Sequence, residues 1–173
     1  MPAIKDFRRW ISRVHGFGLS AILLHPRSRG YIELASPDPA ALPALHSRFL
    51  EHPDDLASLV QGVRIARQIL AAPALAFSRG AELRPGAHVV SNDELEDYVR
   101  RNLATVFHPV GTCKMGPATD PMAVVDPMLR VHGVERLRVI DASVMPSIVG
   151  GNTNAPTMMI AERGAEFLRR AAA

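Results

Sequence analysis

Three polar residues sit where their neighbours would make them reactive. His108 lies in Phe-His-Pro-Val-Gly-Thr-Cys-Lys-Met-Gly (107–116), Asp141 in Leu-Arg-Val-Ile-Asp-Ala-Ser-Val-Met-Pro (137–146), and Asn152 in Gly-Gly-Asn-Thr-Asn-Ala-Pro-Thr-Met-Met-Ile-Ala-Glu-Arg (150–163). Each stands among Gly, Pro and small apolar residues, the composition of a tight, dry pocket with a few aimed polar atoms. Imidazole, with an unperturbed pKa of ~6.5, keeps a neutral fraction that can accept a hydroxyl proton. Pro109 restricts His108 to extended backbone, and Gly111 allows the chain to turn close to a ligand. A carboxamide such as Asn152 can hydrogen-bond an oxygen in both its hydroxyl and its alkoxide form. A base and an oxygen holder of this kind suit removal of a proton from an alcohol. The bland readings are a hydrogen-bonded core histidine, an asparagine that caps a helix, and an aspartate that caps a turn.

These residues need elements to position them. Residues 1–18 read as a basic, irregular lead-in. Leu19 to Leu24 and Tyr31 to Leu34 are short apolar or alternating runs separated by Pro26 to Gly30, and they predict two strands joined by a turn. Pro53 opens a helix in which Asp54 and Asp55 suit the positive end of the dipole. Leu56, Leu59, Val60, Val63, Ile69 and Leu70 give that helix an apolar face. Ser91-Asn-Asp-Glu94 is a capping box for a second helix, with Leu95, Tyr98, Val99 and Leu103 on its apolar side, and that helix delivers the chain to His108. A proline-rich loop after Gly116 leads to Val131 and a strand-like Leu137 to Ile140. The last helix is predicted to begin near Asn154 or Ala155, with Pro156 in its first turn and Arg169 and Arg170 at its negative end. Met158 and Met159 read as core.

Composition narrows the class. With 173 residues, 47% hydrophobic and 21% charged, the chain has the make-up of one soluble globular domain. Its formal charge of +3 arises from 20 Lys and Arg scattered among 17 Asp and Glu. That is a solvated surface and not a nucleic-acid footprint, and aromatics at 5% are too few for a base-stacking platform. A single cysteine, Cys113, excludes an intrachain disulfide and reads as a small buried neighbour. His15, His25, His46, His52, His88 and His132 lack metal-ligand spacing, so no metal site is expected; His25 and His132 read as structural or hydrogen-bonded. No apolar run reaches the ~20 residues needed to span a bilayer, and residues 1–10 lack the core of a signal peptide. Cytoplasm is the default compartment, with peripheral membrane association left open. Gly16-Phe17-Gly18 with Ala21 spells Gly-x-Gly-x-x-Ala, but no strand precedes it and Pro26 blocks the helix a dinucleotide turn requires.

In the three stretches around His108, Asp141 and Asn152, in order and spacing, the chain resembles the C-terminal part of the glucose-methanol-choline family of flavoprotein oxidoreductases, its choline dehydrogenase-like alcohol dehydrogenases in particular. The likeness extends upstream through Pro26-Arg-Ser-Arg-Gly30 and the helix after Pro53, and so covers nearly the whole chain. It implies that FAD is the cofactor and a small alcohol the substrate. His108 would be the catalytic histidine and Asn152 its partner, both near the flavin N5. Asp141 and Ala142 would lie by the ribityl and phosphate part of FAD, and Thr153 and Asn154, with Asn152, by the flavin ring. The start of the last helix supports this placement: its free N–H groups and partial positive charge of roughly half a unit favour a flavin made anionic by reduction. The family's Rossmann-type FAD-binding half is not represented here. It would have to come from a missing or separate polypeptide, without which the chain is expected to be inactive.

The expected fold is α+β, a mostly antiparallel sheet flanked by helices. Residues 19–105 would form the substrate-domain part, and residues 106–173 the active-site motifs and C-terminal helix. Because the segments after about residue 105 would run back toward the FAD half, Leu137 to Ile140 and the last helix are expected to expose an apolar face. Three other readings stand beside this one. A truncated or split, non-catalytic module is the main alternative. A lyase of the same fold is a minor one. A hydrolase built on Ser143, His108 and Asp141 lacks the Gly-x-Ser-x-Gly elbow, and its Asp141 and Ser143 stand only two apart.

Overall fold

Pro53 does open a helix. The computed structural model describes residues 15–172, and within them α1 spans Pro53–Leu70, α2 Asn92–Asn102 and α3 Asn154–Ala172, with a two-stranded sheet of β1 (Tyr31–Glu33) and β2 (Ala44–His46). The class is α+β. Of the lead-in expected over residues 1–18, residues 1–14 lie outside those described. The chain falls into two units, one of residues up to Gly30 with Ser47–Thr105 and the other of Tyr31–His46 with Val106 onward.

In the first unit two helices, α1 and α2, build the core. The α1 start is held from three sides: Pro53 sits at the first position, the His52 side chain accepts from the Asp54 N–H, and Asp54 and Asp55 face the positive end of the dipole. Asp55 is only 3% exposed. Its carboxylate accepts from the N–H groups of Arg27 and Ser28, each at 2.8 Å, and from the Ser28 hydroxyl at 2.5 Å. Burial pushes its pKa up, but these hydrogen bonds outweigh burial and hold it below the usual carboxylate range. The turn at 26–28 is thereby fastened to the helix. The capping box of α2 is complete, with Ser91 Oγ accepting from Glu94 N–H and the Glu94 carboxylate accepting from the N–H groups of Ser91 and Val90. Leu56 and Val60 of α1 pack against Leu95 and Val99 of α2 to form the core of this unit.

Two expectations fail between residues 19 and 70, a stretch in which Tyr31–His46 belongs to the second unit. Leu19 to Leu24 is not a strand; β1 pairs antiparallel with β2 instead, Tyr31 opposite His46 and Ile32 opposite Leu45. The pairing is tied by side chains, with the Tyr31 and His46 rings stacked at 4.3 Å and His46 Nε2 at 2.8 Å from the Glu33 carboxylate. Segment 19–23 runs along α1, where Ala21 stands so close to Gly62 that a Cβ built there would lie 2.7 Å from the Ala21 methyl. Ala21 thus serves helix packing. Ile69, placed on the buried face by periodicity, is half exposed, because α2 covers the N-terminal turns of α1 and not its last one.

The second unit has little regular structure around its core. Val125, Leu129, Val144, Met145, Ile160 and Phe167 are buried together, and four of the six lie outside α1, α2 and α3. Their backbone is paired by single cross-links. Cys113 N–H donates to Ser143 O (3.1 Å), Met115 N–H to Val144 O (2.8 Å), Gly116 N–H to Val125 O (2.9 Å), and Val139 N–H to Leu129 O (3.1 Å). Leu137 to Ile140 is therefore no strand, since it contributes one isolated bridge, Arg130 with Arg138. The Asp126 carboxylate, accepting from the N–H groups of Met128 and Arg130, shapes the turn that delivers Leu129 to the core at φ 64°. His132 is hydrogen-bonded, its Nε2–H donating to Gly116 O at 3.1 Å.

Helix α3 closes the core from one side. A Cβ at Gly164 would stand 2.4 Å from Ile140 Cγ2, so the glycine is what lets Ile140 seat against the helix. Met158 and Met159 are not core: they are 56% and 61% exposed, Met158 on the side of α3 away from Ile160 and Phe167 and Met159 on its flank. Leu137 and Leu168 are also half exposed, while Val139 and Ile140 pack inward. Among the described residues, no helix is long and apolar enough to cross a membrane.

Candidate active site

The three motifs meet in the second unit. The cross-links from residues 113 and 115 to 143 and 144 hold the histidine stretch beside the aspartate stretch, and α3 brings in the asparagine. Phe107, at φ 62°, turns the chain in the left-handed region just before His108. Gly111 has φ 90°, and a Cβ there would lie 3.4 Å from Met145 O, so backbone packs against backbone at this point.

His108 is gripped on both ring nitrogens. Asn152 Nδ2 lies 3.1 Å from Nε2, and Thr153 Oγ1 lies 3.0 Å from Nδ1. An amide NH2 group only donates, so Nε2 is the acceptor and the ring proton sits on Nδ1, directed at Thr153; this tautomer follows from the orientation assigned to the amide. His108 is half-buried, Asn152 exposed and Thr153 only 8% exposed. One edge of the imidazole is therefore fixed inside the protein, and the other meets an open amide.

The remaining predicted residues are placed nearby in the chain but not in this cluster. Asp141 is exposed and its carboxylate accepts from Ser143 N–H at 2.7 Å, capping the short turn Ala142–Val144. Ala142 packs on the edge of the core. Asn154 is the first residue of α3. Neither Asp141 nor Ala142 hydrogen-bonds His108, Asn152 or Thr153. Ser143 gives its N–H to Asp141 and its carbonyl to Cys113, which is a turn and not a nucleophile arrangement. Cys113 is half-buried, its backbone tied to Ser143.

The sequence reading did not foresee the Thr153 hydroxyl as the partner of His108. The signal lay three residues on. Thr153 O accepts from Thr157 N–H at 3.0 Å, which puts Thr153 at the cap of α3 and Pro156 at the third helical position. Proline has no N–H to give the cap hydroxyl, which is left for another partner.

Fold and site define an α+β chain that brings a ring-nitrogen hydrogen-bond acceptor and an amide donor to one point beside the start of a helix. Residues 26–161 match the GMC oxidoreductase family, and the chain belongs to it. It is 44% identical to an alcohol dehydrogenase [acceptor] of Pseudomonas putida, with 96% of this chain and 30% of that protein covered. With an oxygen-dependent choline dehydrogenase of Chromohalobacter salexigens it shares 46% identity over 91% of this chain and 28% of the other. Among solved structures, an FAD-dependent oxidoreductase from Chaetomium thermophilum superposes with a TM-score of 0.80 at 29% identity, covering 86% of this chain and 26% of that one. The chain spans roughly a third of the length of these relatives.

Proposed function

We propose that this chain carries the reacting groups of an FAD-dependent oxidoreductase that oxidises a primary alcohol, choline-like or another, to an aldehyde. The observation that supports this best is the 3.1 Å pair of Asn152 Nδ2 and His108 Nε2, an amide N–H facing a ring lone pair. A substrate hydroxyl seated between them would accept from Asn152 and donate to His108. It would replace the direct contact without leaving either group unpaired. His108 Nε2 then takes the hydroxyl proton, and Asn152 holds the oxygen as its negative charge grows.

The donor chemistry at the start of α3 fits a flavin. Asn154 and Ala155 have N–H groups with no acceptor in the helix, Pro156 has none, and the dipole end is positive. Asn152, Thr153 and Asn154 would hold the flavin ring, and Asp141 with Ala142 the ribityl and phosphate part. When bound, FAD accepts the hydride from the carbinol carbon. Residues outside these 173, in the same or a separate polypeptide, would supply the Rossmann-type half of the FAD site, a reading that the greater length of the relatives supports. Without that half the chain would be a non-catalytic module.

The test is anaerobic mixing of the intact FAD-loaded enzyme with a panel of primary alcohols that includes choline. Bleaching of the flavin with one equivalent of aldehyde formed is the expected result. A flavin that stays oxidised with every alcohol overturns the proposal.

A further inference from the structure

We propose that the Thr153 hydroxyl is a positioning group that fixes the tautomer of His108, accepting from Nδ1–H and so keeping the Nε2 lone pair free for the substrate hydroxyl. The inference rests, for its catalytic meaning, on His108 being the base; the hydrogen bond itself does not depend on that reading.

Three observations carry it. Thr153 occupies the cap of α3, where a threonine hydroxyl ordinarily accepts from the N–H of the second or third helical residue. Here the third is Pro156, which has no N–H, and the hydroxyl meets His108 Nδ1 at 3.0 Å instead. Its carbonyl, by contrast, is doubly held, accepting from Thr157 N–H at 3.0 Å and from the Thr157 hydroxyl at 2.6 Å. The backbone of Thr153 is thus fixed while its hydroxyl points elsewhere. The hydroxyl lies on a residue only 8% exposed, where an unpaired polar group is costly, and His108 Nδ1 at 3.0 Å is its partner. Finally, the opposite ring nitrogen faces an amide donor, which leaves Nδ1 as the protonated one. The hydrogen bond at one ring nitrogen sets the state of the other. A neutral hydroxyl does this without placing a carboxylate beside the ring.

The experiment is nitrogen NMR on the full chain labelled with 15N-histidine, at about pH 8, where imidazole is neutral. The unsubstituted chain should show His108 with the proton on Nδ1. Thr153→Val, nearly equal in shape but without the hydroxyl, should move the tautomer ratio toward Nε2–H by roughly tenfold, the worth of one hydrogen bond. Thr153→Ser should restore the original ratio. In the intact FAD-loaded enzyme, Thr153→Val should lose about tenfold in kcat with KM unchanged, and Thr153→Ser should recover most of it. A dominant Nε2–H form in the unsubstituted chain, or an unchanged ratio in Thr153→Val, overturns the inference. If Thr153→Val does not fold, the tautomer of the unsubstituted chain and the Thr153→Ser variant still decide it. An expected tautomer shift combined with normal turnover in His108→Ala would leave the Thr153 bond standing and remove the base.

Discussion

The two units solve the same problem of satisfying the backbone in opposite ways. In the first, two capped helices pair their interior N–H and C=O groups within themselves, so their side chains need only pack: Leu56 and Val60 on one, Leu95 and Val99 on the other. In the second, Val125, Leu129, Val144 and Met145 reach the core from loops whose polar groups are paired one by one. Loop backbone costs more to order, yet it can turn polar side chains toward a single point. His108, Asn152 and Thr153 are found in this second, loop-built part, beside the start of α3. The site is located where the backbone is least regular and most cross-linked.

Substitutions can break or sharpen this contrast. Leu95→Ala, in the middle of the helix pair, should cost the first unit about 2–5 kcal/mol, as buried leucine truncations do, measured by urea unfolding followed by circular dichroism. A cost under about 1 kcal/mol would mean that this small core is not what holds the pair. A sharper comparison puts one substitution in both units, since each has a helical glycine pressed by a neighbour. Gly164→Ala meets Ile140, which is wedged into the second core, and should destabilise by about 1–3 kcal/mol despite the better helix propensity of alanine. Gly62→Ala meets Ala21 on an exposed segment that can lift away, and gain and clash of about 1 kcal/mol each should nearly cancel. Equal losses at the two positions would erase the distinction.

Acid should act on the first unit through Asp55. Because its folded pKa is lowered, its contribution is fully present above the ordinary carboxylate range and is lost as pH falls through the folded value. Asp55→Asn should remove that part of the acid dependence. At neutral pH it should also cost about 1–3 kcal/mol for the weakened grip on Arg27 and Ser28. Thermal unfolding of both proteins across pH reads both effects.

What the sequence disclosed follows the same division. The starts of α1 and α2 were legible because Pro53-Asp-Asp and Ser91-Asn-Asp-Glu are local signals, complete within one turn. The β1 partner was not, because Ala44-Leu-His46 has no β-branched residue and its pairing depends on a Tyr31–His46 stack fifteen residues apart in the chain. Met158 and Met159 read as core on residue type, which does not say what covers them, and both are exposed. Residue type and the family-like motifs singled out His108 and Asn152, whose side chains lie 3.1 Å apart. The role of the Thr153 hydroxyl became visible only once Thr153 was fixed as the cap and Pro156 as a position with no N–H to offer it.

In the proposed reaction His108 Nε2 takes the proton while the alcohol is oxidised. The direct measurement is the rate of flavin bleaching when the intact FAD-loaded enzyme, with and without His108→Ala, is mixed anaerobically with its alcohol. A slowing of about 10²–10⁴-fold with flavin still bound is expected. An unchanged rate in the substituted enzyme would contradict it.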